Sequence, residues 1–218
     1  MVRRLSFVVA FIVAATCARA QYYELANQLT NLISPALSGS ATYRGYVDLT
    51  GTAGIGVNRA NFVGISTSQG FQYAPWFFMG AGLGIDVAMS RGDDAVYETA
   101  GYYGSRTTRT QAMLPVFSDF RFNIGSSKTT SFFADVKIGA AWFLGGKYLE
   151  MTDFTMGHGA QFFLRPTIGL RIPVNSANPK QAFSIGVSYQ LLTSNNNYCR
   201  NGTSGTLNAF GATIGFEW

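Results

Sequence analysis

Few residues of this chain are equipped for chemistry. Its 218 residues contain one histidine, His158, and two cysteines, Cys17 and Cys199. An imidazole acts as a general base only beside the proton it removes, and usually with a group that orients it. Glu150, Asp153 and several serines lie near His158 in the sequence, but no spacing selects one of them as its partner. One histidine and two cysteines fall short of the His and Cys ligands that a structural zinc site uses. No phosphate loop or nucleophile elbow is present either, so no catalytic residue, cofactor or metal is expected. The charges remain. Ten of them fall in segments of alternating polarity: Arg44, Asp48, Asp86, Asp119, Arg121, Asp135, Lys137, Arg165, Arg171 and Glu217. Five acids and five bases balance. Charges held away from water are tolerated when paired and hydrogen-bonded, so the expected chemistry is a neutral network of salt bridges.

The elements that would position these charges are strands. From Tyr43 onward apolar residues recur with period two, which places them on one face of an extended chain. Eight such segments can be read: Arg44–Val57, Phe62–Tyr73, Trp76–Met89, Ala112–Ile124, Ser131–Leu144, Ala160–Val174, Ala182–Leu192 and Leu207–Trp218. In the last, Asn208, Phe210, Ala212, Ile214, Phe216 and Trp218 share one parity, while Leu207, Ala209, Gly211, Thr213, Gly215 and Glu217 share the other. All ten charges lie on the polar parity of their segments; indifferent placement would give this about one time in a thousand, with two faces per strand. The connections alternate in length. Asn58–Asn61, Ala74-Pro75, Gly125–Thr130 and Asn175–Lys180 are short, whereas Ser90–Gln111, Gly145–Gly159 and Thr193–Thr206 are long and polar.

The remainder of the chain reads as an address and a leader. Arg3 and Arg4, the apolar run Leu5–Ala15 and Ala18-Arg19-Ala20 form a secretory signal peptide over residues 1–20, with Gln21 the mature start. Three bases leave with it, so thirteen bases face eleven acids and the net charge falls from +5 to +2. Nucleic-acid binding thereby loses its main support, and no nucleic-acid partner is expected. Cys199 is left alone, and no internal disulfide can form. Within residues 21–42, Leu25, Leu29, Leu32 and Ile33 have helical spacing up to Pro35 and Gly39, which predicts a short amphipathic helix. Residues 43–218 form the strand domain.

A soluble sandwich would carry charges outward and in greater number than the 12% found here. The apolar runs match the roughly 9–11 residues that a tilted strand needs to cross a bilayer, and the loop pattern is that of a membrane barrel. In lipid the sheet must close, so that every backbone group is paired. The fold class expected is therefore all-β: an eight-stranded antiparallel transmembrane up-and-down β-barrel with a short N-terminal helical leader.

The glycine-alternating strand Phe77–Asp86, the segment Pro115–Arg121 and the ending Phe216-Glu217-Trp218 resemble the small eight-stranded outer-membrane barrels of the outer membrane protein A and X type, especially those of Bacteroidetes. The similarity covers about Arg44–Trp218. It implies a Gram-negative outer membrane location, with outer-membrane lipid and lipopolysaccharide as surroundings. Phe216 and Trp218 would then be the signal read by the barrel-assembly machinery. It further implies a structural or surface-interaction role through the long extracellular loops, with an unknown surface ligand. Some such barrels modify lipid A with a histidine near the outer rim, which makes His158 the alternative enzymatic candidate. A narrow pore through the lumen is the third reading.

Overall fold

The computed structural model describes residues 41–90, 107–152, 154–157, 159–175, 178–194, 198–199 and 205–218. The expected signal peptide, the helical leader, His158, Asp153 and residues 91–106 lie outside them. Eight long strands form where the period-two pattern runs: β1 (Thr42–Ile55), β2 (Ala60–Ala74), β3 (Phe77–Ser90), β4 (Thr110–Ile124), β5 (Ser131–Phe143), β6 (Gln161–Asn175), β7 (Asn178–Ser194) and β8 (Gly205–Glu217). Each pairs with its sequence neighbour, and β8 returns to β1 to close the barrel. The closing seam runs in unbroken antiparallel register from Tyr46↔Glu217 to Ile55↔Asn208. Closure leaves no strand edge, so the ladder satisfies the backbone without help from water.

The seam continues one residue past β8. Gly45 and Trp218 exchange both backbone hydrogen bonds at 3.1 Å. A Cβ on Gly45 would overlap the Trp218 indole, so only glycine lets the ring lie against β1. β7 begins four residues earlier than its polarity pattern indicates, because its ladder with β6 shifts register between Asn178 and Ala182. An irregular stretch of this kind leaves residues out of regular pairing and hides the alternation that reveals a strand.

The outer face of the barrel is apolar along its height. Leu49, Ile65, Leu83, Ile85, Val116, Ile168, Ile185, Phe210 and Ile214 are all exposed there. Contiguous apolar surface of this extent is incompatible with water and suits lipid. Aromatic rings crowd the end that carries the short turns. Phe77 and Phe122 have centroids 5.2 Å apart, Trp76 stacks on Phe122 at 6.2 Å, and Phe216 lies between Phe183 at 5.2 Å and Trp218 at 6.4 Å. Trp142 and Phe162 are exposed near the other end. Along β5, Phe132 to Trp142 spans about 25 Å at ~3.3 Å per residue and a tilt of about 40°, the height of a membrane barrel's apolar band.

The interior departs from the sequence expectation. The polar parity does face inward, but toward the long-loop end its inward residues are mostly apolar. Toward the long-loop end the inward residues Phe62, Ala88, Met113, Phe117, Phe143, Phe163, Leu192 and Leu207 form one buried apolar cluster. Leu149, Met151 and Met156 from the loop between β5 and β6 complete it. The long connections are not merely polar loops: Thr107–Thr108, Tyr148–Glu150, Phe154–Met156 and Tyr198–Cys199 pair into a second, four-stranded sheet. This sheet holds Leu149 and Met156 in register opposite each other.

The inward glycines mark places where the lumen and the ladder are tightest. A Cβ on Gly82 would meet the Phe117 ring, and one on Gly80 would meet Phe78. At Gly139 and Gly169 it would run into the backbone of the neighbouring strand. These positions admit aromatic rings and close strand approach.

Candidate functional site

Alternation along the strands turns nine of the ten strand charges into ion-paired partners, at three levels of the lumen. In the central group, Lys137 Nζ on β5 lies 3.0 Å from Asp48 Oδ2 on β1 and 3.6 Å from Asp119 Oδ2 on β4, and it donates to Asp135 on its own strand. Arg121 Nη2 reaches Asp48 Oδ1 at 3.6 Å and Asp135 Oδ2 at 3.4 Å. Strands β1 and β5 lie opposite each other in the barrel order, so these pairs cross the lumen. The Arg121 guanidinium lies 4.1 Å from the Tyr46 ring centroid and 4.8 Å from that of Phe133. Flat aromatic faces hold a weakly hydrated guanidinium where water is scarce.

The second level joins β6 to β3. Arg165 donates to Asp86, and its Nε and Nη2 both donate to Gln190 Oε1 on β7, at 3.1 and 2.7 Å. Arg165 also stacks over Phe163, at the floor of the apolar cluster. The third level lies near the short turns. Arg171 grips Glu217 through Nε at 2.7 Å and through Nη2, and its Nη1 donates to the Ser127 carbonyl at 2.9 Å. Arg44 is held by neutral groups: its Nε donates to Gln72 Oε1 at 3.0 Å, and its Nη1 donates to the Lys180 carbonyl. Arg44, Arg171 and Glu217 line a narrow cleft of about 10 Å³ at this mouth, together with Tyr46, Gln72 and Asn123.

Hydroxyls connect the levels along one wall. Thr50 and Thr213 are 3.0 Å apart, Thr167 and Ser188 are 2.8 Å apart, and Ser188 also bonds Thr213. All ten predicted charges are buried. Burying an ion is expensive, and pairing with good hydrogen bonding offsets much of that cost. The arrangement therefore fills space and fixes opposite walls to one another; it offers no nucleophile with an adjacent base.

Sequence reasoning missed the apolar upper lumen and its cap. The signal was present in Phe62, Met113, Phe143, Phe163, Leu192 and Leu207, which occupy the polar parity near one end of successive strands. Phe216 faces outward among the aromatics described above, and Trp218 is exposed beside it. His158, the alternative enzymatic candidate, and Asp153, one of the residues near it in the sequence, lie outside the described residues.

No protein-family model matches the chain, and no curated protein matches it. Solved structures do. The outer membrane enzyme PagL is 15% identical, with 78% of this chain and 97% of that one covered and a TM-score of 0.50. Neisserial surface protein A is 10% identical, with 81% and 97% covered and a TM-score of 0.51. Both comparisons span nearly the whole of the other chain. The fold is that of the small eight-stranded outer-membrane barrels. At such low identity the likeness concerns architecture, and small outer-membrane barrels carry different activities on it. The geometry agrees with that architecture: the apolar parity faces outward as a lipid face does in a membrane barrel, aromatic rings lie near its ends as girdles do, and eight strands leave a lumen that side chains can fill.

Proposed function

We propose that this chain is an integral outer-membrane protein with a structural and surface-interaction role, exported by cleavage before Gln21. The short turns face the periplasm, and the long loops with their small sheet face the exterior. Outer-membrane lipid and lipopolysaccharide surround it, and the barrel-assembly machinery engages Phe216 and Trp218. The observation that carries this reading is the filled lumen. Ion clusters occupy its centre, and an apolar core of Phe62, Met113, Phe117, Phe143, Phe163, Leu149 and Met156 occupies its outer part. A conducting path would have to cross both. The surface then available to partners is the lipid face and the loop end.

Two measurements on the purified membrane fraction test this. The protein should migrate faster unboiled than boiled in gel electrophoresis, and reconstituted in planar bilayers it should give no steady single-channel steps. A soluble, boiling-insensitive protein would end the membrane reading, and reproducible conductance would end the closed-lumen reading. The enzymatic alternative, lipid A modification through His158, predicts that His158→Ala alters the lipid A species seen by mass spectrometry. We expect the spectra to be unchanged.

A further inference from the structure

At the long-loop rim, on the lipid side of the β4–β5 hairpin, there is a cleft of about 400 Å³. Its walls are Thr108, Thr110, Leu144, Gly145, Gly146 and Lys147. The volume lies within the range of small-molecule sites. Its lower wall continues the lipid face, because Leu144 and Trp142 are exposed on the outward parity of the chain leaving β5. Its upper wall is a set of donors. Gly145 takes φ +106°, and a Cβ at either Gly145 or Gly146 would meet nothing within 4 Å, so this backbone is bare. Among the described residues, nothing accepts from the N–H groups of Gly145, Gly146 and Lys147, nothing pairs with the Lys147 ammonium, and nothing bonds the Thr110 hydroxyl.

Two of the nearby acceptors are already engaged, while the buried Oε1 of Gln111, which also lines the cleft, has no partner among the described residues. Buried Gln111 donates through Nε2 to the Leu144 carbonyl at 3.2 Å and to the Lys147 carbonyl at 2.6 Å, which pins both ends of the segment. The Leu144 N–H is spent on the Ala112 carbonyl at 2.8 Å. Among the described residues, what remains without a partner is three consecutive backbone donors, a hydroxyl and a cation above an apolar ledge. Successive free amides around glycine form an anion-binding concavity, and a lysine beside them supplies the counter-charge.

We propose that this cleft binds the phosphate of a phosphorylated glycolipid in the outer leaflet, with the acyl chains lying along Leu144 and Trp142. Lys147 and the Gly145–Lys147 amides hold the phosphate, and Thr110 donates to the headgroup. The apolar ledge directly below favours a lipid over a free anion. The assignment rests on the outer-membrane reading and names a site for its lipid partner.

The experiment uses the full chain in dodecyl maltoside micelles doped with diphosphoryl lipid A, with dephosphorylated lipid A, or with inorganic phosphate alone, and counts bound species by native mass spectrometry. The wild type should bind diphosphoryl lipid A saturably and at least about tenfold tighter than the dephosphorylated form, the scale of one charge-assisted contact. Lys147→Gln and Gly146→Asp should each remove about tenfold of that affinity while keeping the heat-dependent gel shift. Equal binding of the two lipids, or wild-type binding by both variants, overturns the site. Inorganic phosphate binding as tightly as the lipid overturns the lipid assignment. Loss of the gel shift in the wild type itself would instead sink the membrane reading on which the proposal rests.

Discussion

Lys137→Met is expected to destabilise the folded barrel by about 3–5 kcal/mol, the usual cost of removing one partner from a buried ion group. The readout is the urea midpoint of the protein in lipid vesicles, or the temperature at which the unboiled gel form disappears. Methionine keeps the length and packing of the lysine stem, so the change reports charge more than volume. Lys137 is the hub of the central group: it touches Asp48, Asp119 and Asp135, which come from three strands. Without it three carboxylates face only Arg121, which lies 3.4 to 3.6 Å from two of them. The loss should be partly reversed by adding Asp119→Asn, because Lys137 is the only base paired with Asp119 among the described ion pairs. An unchanged midpoint for Lys137→Met would mean that water enters the lumen freely and screens the group. That result would also undermine the closed-lumen reading.

The coupling matters because the charges join strands that the sheet does not. Neighbouring strands are held by the ladder, while β1 and β5 meet only through the lumen. The same is true of β3 and β6, joined by Asp86 and Arg165. A barrel with eight strands could ovalise at little cost to its ladder. The crossing ion pairs, with the aromatic rings around Arg121 and Arg165, hold it at one cross-section. Filling the lumen and bracing the wall are thus one property of the same side chains.

How far this was legible in the sequence depends on which periodicity carried it. The strands, their order and the inward direction of the charges all follow from a period of two, and Leu49, Leu83, Ile168 and Phe210 lie on the lipid side as that period requires. Which charge meets which partner was not legible. Lys137 pairs with Asp48 across 89 positions of sequence through the stagger and closure of the sheet, which no local pattern encodes. The apolar cap was missed for another reason. Leu149, Met151 and Met156 sit in a connection rich in Gly and polar residues, too short to show alternation, and their burial depends on the inward phenylalanines beneath them. Tyr46 and Gln190 were overlooked because a neutral side chain carries no sign that it will cradle an arginine.

Deletion of Phe216–Trp218 should have the largest effect of all, reducing the heat-modifiable membrane form to about a tenth of wild type or less. The three residues serve two seams at once. They pair with β1 at Val47, Tyr46 and Gly45, and with β7 at Phe183 and Ala182. Glu217 is also the carboxylate that Arg171 holds, so its loss removes the counter-charge of a buried guanidinium at a cost of about 3–5 kcal/mol. Set against a total stability of about 5–15 kcal/mol, that cost together with the lost rungs is enough to open the closing seam. Point variants separate stability from recognition by the assembly machinery. Glu217→Gln should weaken the barrel thermally yet still yield membrane-inserted protein. Phe216→Ala with Trp218→Ala keeps the ion pair and the rungs but removes the aromatics, and should lower the yield of inserted protein more than the stability of the fraction that inserts. If the double alanine variant inserts as well as wild type, the aromatics are girdle residues alone and carry no assembly signal. If the deletion itself inserts normally, closure does not depend on this seam, and the role assigned to Gly45 and Trp218 is wrong.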